Sequence, residues 1–153
     1  MAMWTEGRPS SARGGQYSLE MATRVAAWLA AAIFLIVAAF QAALVFGAPW
    51  GEHTQGGGTS GALASSGRLL AAMSCVLSIV MAGAILARAG EGPLRRFPVR
   101  VVTVLAWVAT VYSAVAVVLN IITRSTAERA LWAPVSIVLL LLVATVMVTS
   151  RRT

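Results

Sequence analysis

Lysine and aspartate are absent from this chain, cysteine and histidine occur once each, and only 11% of its 153 residues are charged. Each shortage excludes something. A single cysteine, Cys75, forms no intramolecular disulfide, and inside an apolar run it reads as a small hydrophobe. One Cys and one His fall well short of the four clustered ligands of a zinc site, so neither a metal nor any other cofactor is expected. No C-x-x-C, no H-E-x-x-H and no buried acid pair occurs, and none of the five glutamates falls within a long apolar run. No residue is therefore assigned a catalytic role, and the sequence reads as a non-enzyme. The absence of deep ionisable groups also argues against proton-coupled transport.

What remains is apolar. Hydrophobic residues make up 59% of the chain and the mean hydropathy is +0.83, against roughly 25% charged residues in an ordinary soluble domain. This is the composition of an integral membrane protein, with the lipid bilayer as its first partner. Twelve arginines against five glutamates would suggest nucleic acid in a soluble chain. Here the arginines flank apolar runs, and no basic patch interleaved with aromatics exists, so no nucleic-acid partner is expected.

Four runs have spanning length: residues 25–46, 69–87, 101–123 and 131–149. The sequence thus predicts an all-α, four-helix transmembrane bundle over residues 21–153, preceded by a disordered tail, 1–20, rich in Gly, Ser and Arg. Nine arginines (8, 13, 24, 88, 95, 96, 100, 151 and 152) fall on one side of this topology and three (68, 124 and 129) on the other. The positive-inside rule then makes both termini cytoplasmic, in a bacterial inner membrane, with the loop after the first span outside. Pro93 and Pro98 keep the cytoplasmic loop from continuing either neighbouring helix. Small residues spaced four apart mark expected packing stripes: Ala39, Ala43 and Gly47; Ser74, Ser78 and Ala82; Ala106, Thr110 and Ala114. The fourth run has almost none, and reads as the most lipid-exposed helix or one that packs through bulky side chains.

The outer rim gathers the chemistry. Gln41 and Asn120 are expected near the outer ends of their spans, either hydrogen-bonded to each other or lining a ligand pocket. Ser125-Thr126-Ala127-Glu128 fits the S-x-x-E capping box, with an ion pair from Glu128 to Arg68 or Arg129 as its other role. Arg68, opening a span, is expected to pair with Glu52 or Glu128. Pro134 predicts a short interfacial helix, 127–132, kinked into the last span. Trp50 and Trp132 read as interface-belt residues. Glu52 and His53 form an adjacent carboxylate and imidazole, either solvated or binding a cation or headgroup. The loop is expected to be ordered around Trp50 and mobile over the glycine-rich residues 56–61.

The stretch GAPWGEHTQGG, Arg68 at the start of the second span, and the run of Asn120, Ser125, Glu128, Arg129, Trp132 and Pro134 together resemble a group of small, uncharacterised bacterial four-helix membrane proteins. The resemblance implies that Gly47, Pro49, Trp50, Gly51, Gly56, Gly57, Arg68, Asn120, Glu128, Arg129 and Trp132 belong to one shared outer-face feature. It implies no activity. The reading is of a subunit, scaffold or sensor that binds a partner or lipid at its outer rim, the partner being another membrane protein or a second copy. The alternative is a small oligomeric transporter or channel.

Overall fold

The computed structural model describes residues 10–150, with side chains from residue 14 onward. It is all-α, built from α1 (Ser10–Val45), α2 (Ser65–Arg88), α3 (Val99–Ile122) and α4 (Thr126–Thr149). Each of the four contains a segment long and apolar enough to cross a membrane. Three of the helices are 24 residues long, about 36 Å at 1.5 Å per residue.

The helices alternate in direction and form a ring. Each packs on its neighbours in the chain, and α4 closes back onto α1; the α1–α2 seam is the most extensive. The packed interior is made of small residues on α1 (Ala27, Ala30, Ala31) and α3 (Ala106, Ala109) facing bulkier ones on α2 (Met81, Ile85) and α4 (Val143, Val146). Small against large lets backbones approach closely, which matters where burial away from lipid tails brings no hydrophobic gain.

Several expectations change here. α1 begins at Ser10, so residues 10–20, expected as disordered, are helical, while residues 1–9 lie outside the described residues. Once the apolar part of a helix has formed, each added residue gains one hydrogen bond without a new nucleation cost, and the helix extends back into polar sequence. On α1 the packing stripe is Ala27, Ala30, Ala31 and Ala38, whereas Ala39 is exposed and Ala43 and Gly47 are half-buried. On α2, Ser78 and Ala82 are buried as the pattern suggests. Residues 127–132 form no separate kinked helix, because α4 runs unbroken through Pro134. Pro134 is the ninth residue of α4, and its ring removes one bond from the ladder without ending the helix. α4 buries Leu139, Val143 and Val146, the bulky alternative for this helix.

Candidate functional site

At one end of the bundle, called here the loop end, the C-terminus of α1 and the start of α2 are joined by residues 46–64, and α3 passes into α4 through residues 123–125. The long loop is not a linker. Two short 3-10 turns, Gly51–His53 and Gln55–Gly57, lie in it, and Gly51 N–H donates to the Gly61 carbonyl at 2.9 Å. A β-carbon at Gly51 would stand 2.6 Å from the Thr59 carbonyl oxygen, which explains a glycine in a loop folded this tightly.

The loop is fastened to α4 by its backbone. Ser125 Oγ accepts from Glu128 N–H at 3.1 Å and donates to the Glu52 carbonyl at 2.7 Å. Trp132 Nε1–H donates to the His53 carbonyl at 2.9 Å. Glu128 Oε2 accepts from Gly56 N–H at 3.0 Å and from Thr123 Oγ1–H at 2.6 Å. Half of the capping box is thus made: Ser125 caps α4, while the Glu128 carboxylate reaches to the loop and to Thr123 rather than to the cap's own backbone. Glycine is demanded at Gly57, where φ is +69° and a β-carbon would fall 2.4 Å from Ser125 Cβ. The glycine-rich run 56–61, expected to be mobile, is fastened to α4 at its start, by Gly56 and Gly57. Its first two glycines are where loop and helix touch, and both hold a positive φ, +82° and +69°, that a residue with a side chain rarely adopts.

Beneath the loop the rings of Trp50 and Trp132 share one partner. Phe40 on α1 stacks on Trp50 with centroids 5.8 Å apart and receives Trp132 edge-on at 4.8 Å. Both tryptophans therefore hold the loop on the bundle, and Trp50 keeps 44% of its surface exposed. Phe40 was not singled out from the sequence, where one more aromatic in an apolar run carries no distinguishing signal.

Under this cover, between α1, α3 and α4, lies a cavity of about 230 Å³. Phe34, Val37, Val115, Leu119, Val135 and Leu139 supply apolar walls, and Gln41, Thr54, Tyr112, Asn120, Glu128 and Ser136 supply the polar positions. Gln41 and Asn120 are brought to one cavity without hydrogen-bonding to each other, so of the two expectations for this pair the shared pocket is the one the geometry fits. Gln41 Oε1 is buried and has no hydrogen-bond partner.

The remaining sequence candidates stand apart from the cavity. Arg68 forms no ion pair with Glu52 or Glu128, which corrects the expected pairing. Its Nε–H donates to the Leu63 carbonyl at 2.9 Å, and its guanidinium lies over Gly47, 3.4 Å from where a β-carbon would be. A nearby backbone carbonyl meets the guanidinium's need for an acceptor without ordering a second long side chain. Arg129 is exposed. His53 Nδ1 lies 3.7 Å from Glu52 Oε1, beyond hydrogen-bond range, and what this pair contributes to the fastening is its two backbone carbonyls. Among the described residues no three His, Cys, Asp or Glu side chains gather where a metal ion would sit.

Comparison with family models, curated proteins and solved structures finds no match to this chain.

Proposed function

We propose that this chain is a small, non-enzymatic, multi-pass membrane protein, a subunit, scaffold or sensor, whose loop-end cavity binds the head of a lipid-like ligand. One observation carries the reading. An amide oxygen buried without a partner costs about 1 to 3 kcal/mol, and Gln41 Oε1 is such an atom in the wall of a cavity that is otherwise walled largely by apolar side chains. A site tolerates that cost where something else completes the hydrogen bond, and largely apolar cavities with a few placed polar groups are the usual form of ligand sites. The polar positions of this cavity lie toward the loop end instead of running the length of the spans, which favours binding over conduction.

The arginine distribution supports an inner-membrane topology with both termini cytoplasmic and the cavity facing outward. The GAPWGEHTQGG loop, Arg68 and the run from Asn120 to Pro134 are the features on which the proposed resemblance to the bacterial four-helix group rests. The role given to that loop here, a cover fastened over a cavity, is proposed as the shared outer-face feature.

Native mass spectrometry of the protein released from its own membrane tests the reading. The wild type should carry a bound lipid-like species, and Ala116→Phe, which fills the cavity from α3, should lose it. A wild type that emerges empty from every mild detergent would remove the proposal. Reporter fusions at both termini test the topology: activity of a carboxyl-terminal reporter only outside the membrane would reverse it.

A further inference from the structure

We infer that the head this cavity accepts is a hydrogen-bond donor without negative charge, a hydroxyl or an ammonium, attached to a hydrocarbon chain. The inference rests on the cavity being a ligand site and adds the chemical class. Among the polar groups lining it, two strong donors are already engaged: Trp132 Nε1–H on the His53 carbonyl and Ser136 Oγ–H on the Ala133 carbonyl at 3.0 Å. The Gln41 and Asn120 carboxamides and the Tyr112 hydroxyl each bring a donor as well as an acceptor, and Gln41 Oε1 is buried and unpartnered. Glu128, which only accepts, tips the balance toward a donor in the ligand, since of its carboxylate only Oε2 is bound. No arginine lines the cavity. A half-buried carboxylate that forms no ion pair among the described residues attracts an ammonium, accepts from a hydroxyl, and repels a carboxylate or phosphate.

Size sets the rest. A volume of about 230 Å³ falls below the roughly 300 to 1,000 Å³ of sites that enclose a drug-sized ligand. The cavity therefore takes a head and the first few methylenes, against Phe34, Val37 and Leu139. Val115 and Leu119, on the α3 wall, keep 49% and 57% of their surface exposed, so a longer chain leaves sideways on that flank.

The full-length protein in nanodiscs of phosphatidylcholine, whose head carries neither N–H nor O–H, would be titrated with myristylamine, myristyl alcohol, myristate and myristyl phosphate. Binding would be followed by native mass spectrometry and thermal shift. The amine and the alcohol should bind about tenfold or more tightly than the two anions, a difference of about 1.4 kcal/mol. Gln41→Leu should weaken the amine and the alcohol by about tenfold while unfolding no earlier than the wild type, because leucine removes an unpaired polar atom. Glu128→Gln keeps an acceptor without the charge, and should bring the amine and the carboxylate within about threefold of each other. Adding phosphatidylethanolamine to the nanodiscs identifies the source: displacement of the amine points to a bilayer lipid head, and no displacement to a free amphiphile. Anions bound as tightly as the amine, with all four lost in Ala116→Phe, would overturn the donor-head inference and leave the cavity as a ligand site. No binding of any of the four by folded wild type would overturn both.

Discussion

The two ends of this bundle are closed by opposite means. At the end where α1 passes Thr23, side chains make the links, to another helix, to the short loop after α2 and, through Arg88, to the Ser150 carbonyl at 3.3 Å. Thr23 Oγ1 meets Thr149 Oγ1 at 2.6 Å, and Arg24 Nε pairs with Glu91 Oε1 at 2.9 Å. The packed core of alanines, Met81, Ile85, Val143 and Val146 extends from the middle of the bundle toward this end. At the loop end the helices stand around a cavity, and what links them is a loop whose backbone groups bind the start of α4. Both ends hold a cavity, about 320 Å³ beside Thr23, Arg88 and Thr149 and about 230 Å³ at the loop end, and the difference lies in what spans it. At the loop end a long loop ties α1 to α4 across the cavity, through Ser125, Glu128 and Trp132.

The comparison breaks most readily at Gly57. Gly57→Ala forces a β-carbon against Ser125 at a positive φ, and the left-handed conformation alone costs about 1 to 2 kcal/mol before any clash. A loss of about 2 kcal/mol or more is expected by denaturant titration in detergent, with faster hydrogen exchange at Gly56 and Gly57 amides. If Gly57→Ala unfolds like the wild type, the loop is an untethered linker after all.

Phe40→Ala comes next. It removes both aromatic contacts, each worth about 0.5 to 1.5 kcal/mol beyond buried area, and should free Trp50 and Trp132 together, seen as a red shift of tryptophan emission. An unchanged spectrum would mean that the rings do not fasten the loop. Gly56→Ala sharpens the contrast with Gly57, since it shares a positive φ but meets nothing within 4 Å. It should cost about 1 kcal/mol, clearly less than its neighbour, by the same titration.

The smallest effect belongs to the opposite end. Arg24 and Glu91 have side-chain exposures of 57% and 24%, and a pair that open to solvent is worth about 0.2 to 1 kcal/mol. A double-mutant cycle should return a coupling in that range that shrinks with added salt. Coupling of several kcal/mol would show that end to be tied as tightly as the loop end.

How much of this was legible beforehand varies by residue. Ser125 as a cap for α4 could be read from its spacing to Glu128, because a cap is a local bond between residues three apart. The four helices were legible because an apolar run longer than about 18 residues matches the thickness of a bilayer and exceeds what one buried face of a soluble helix requires. Arg68 misled, since a charged side chain invites a charged partner while the structure gives it a carbonyl, and every residue carries one of those. The glycines of the loop misled for the same reason in reverse: a run without side chains reads as freedom until the groups that meet its N–H are placed.

Sequence alone therefore determined the helices, their number, their apolar character and one helix cap, since each depends on composition or on neighbours within a turn. Tertiary structure alone decided that Gln41 and Asn120 share a cavity without touching, that Phe40 joins two tryptophans, and that Glu128 holds Gly56 across 72 positions of chain. Those outcomes rest on the side of a helix that faces a given neighbour and on backbone atoms common to all residues, and neither leaves a mark in the order of side chains.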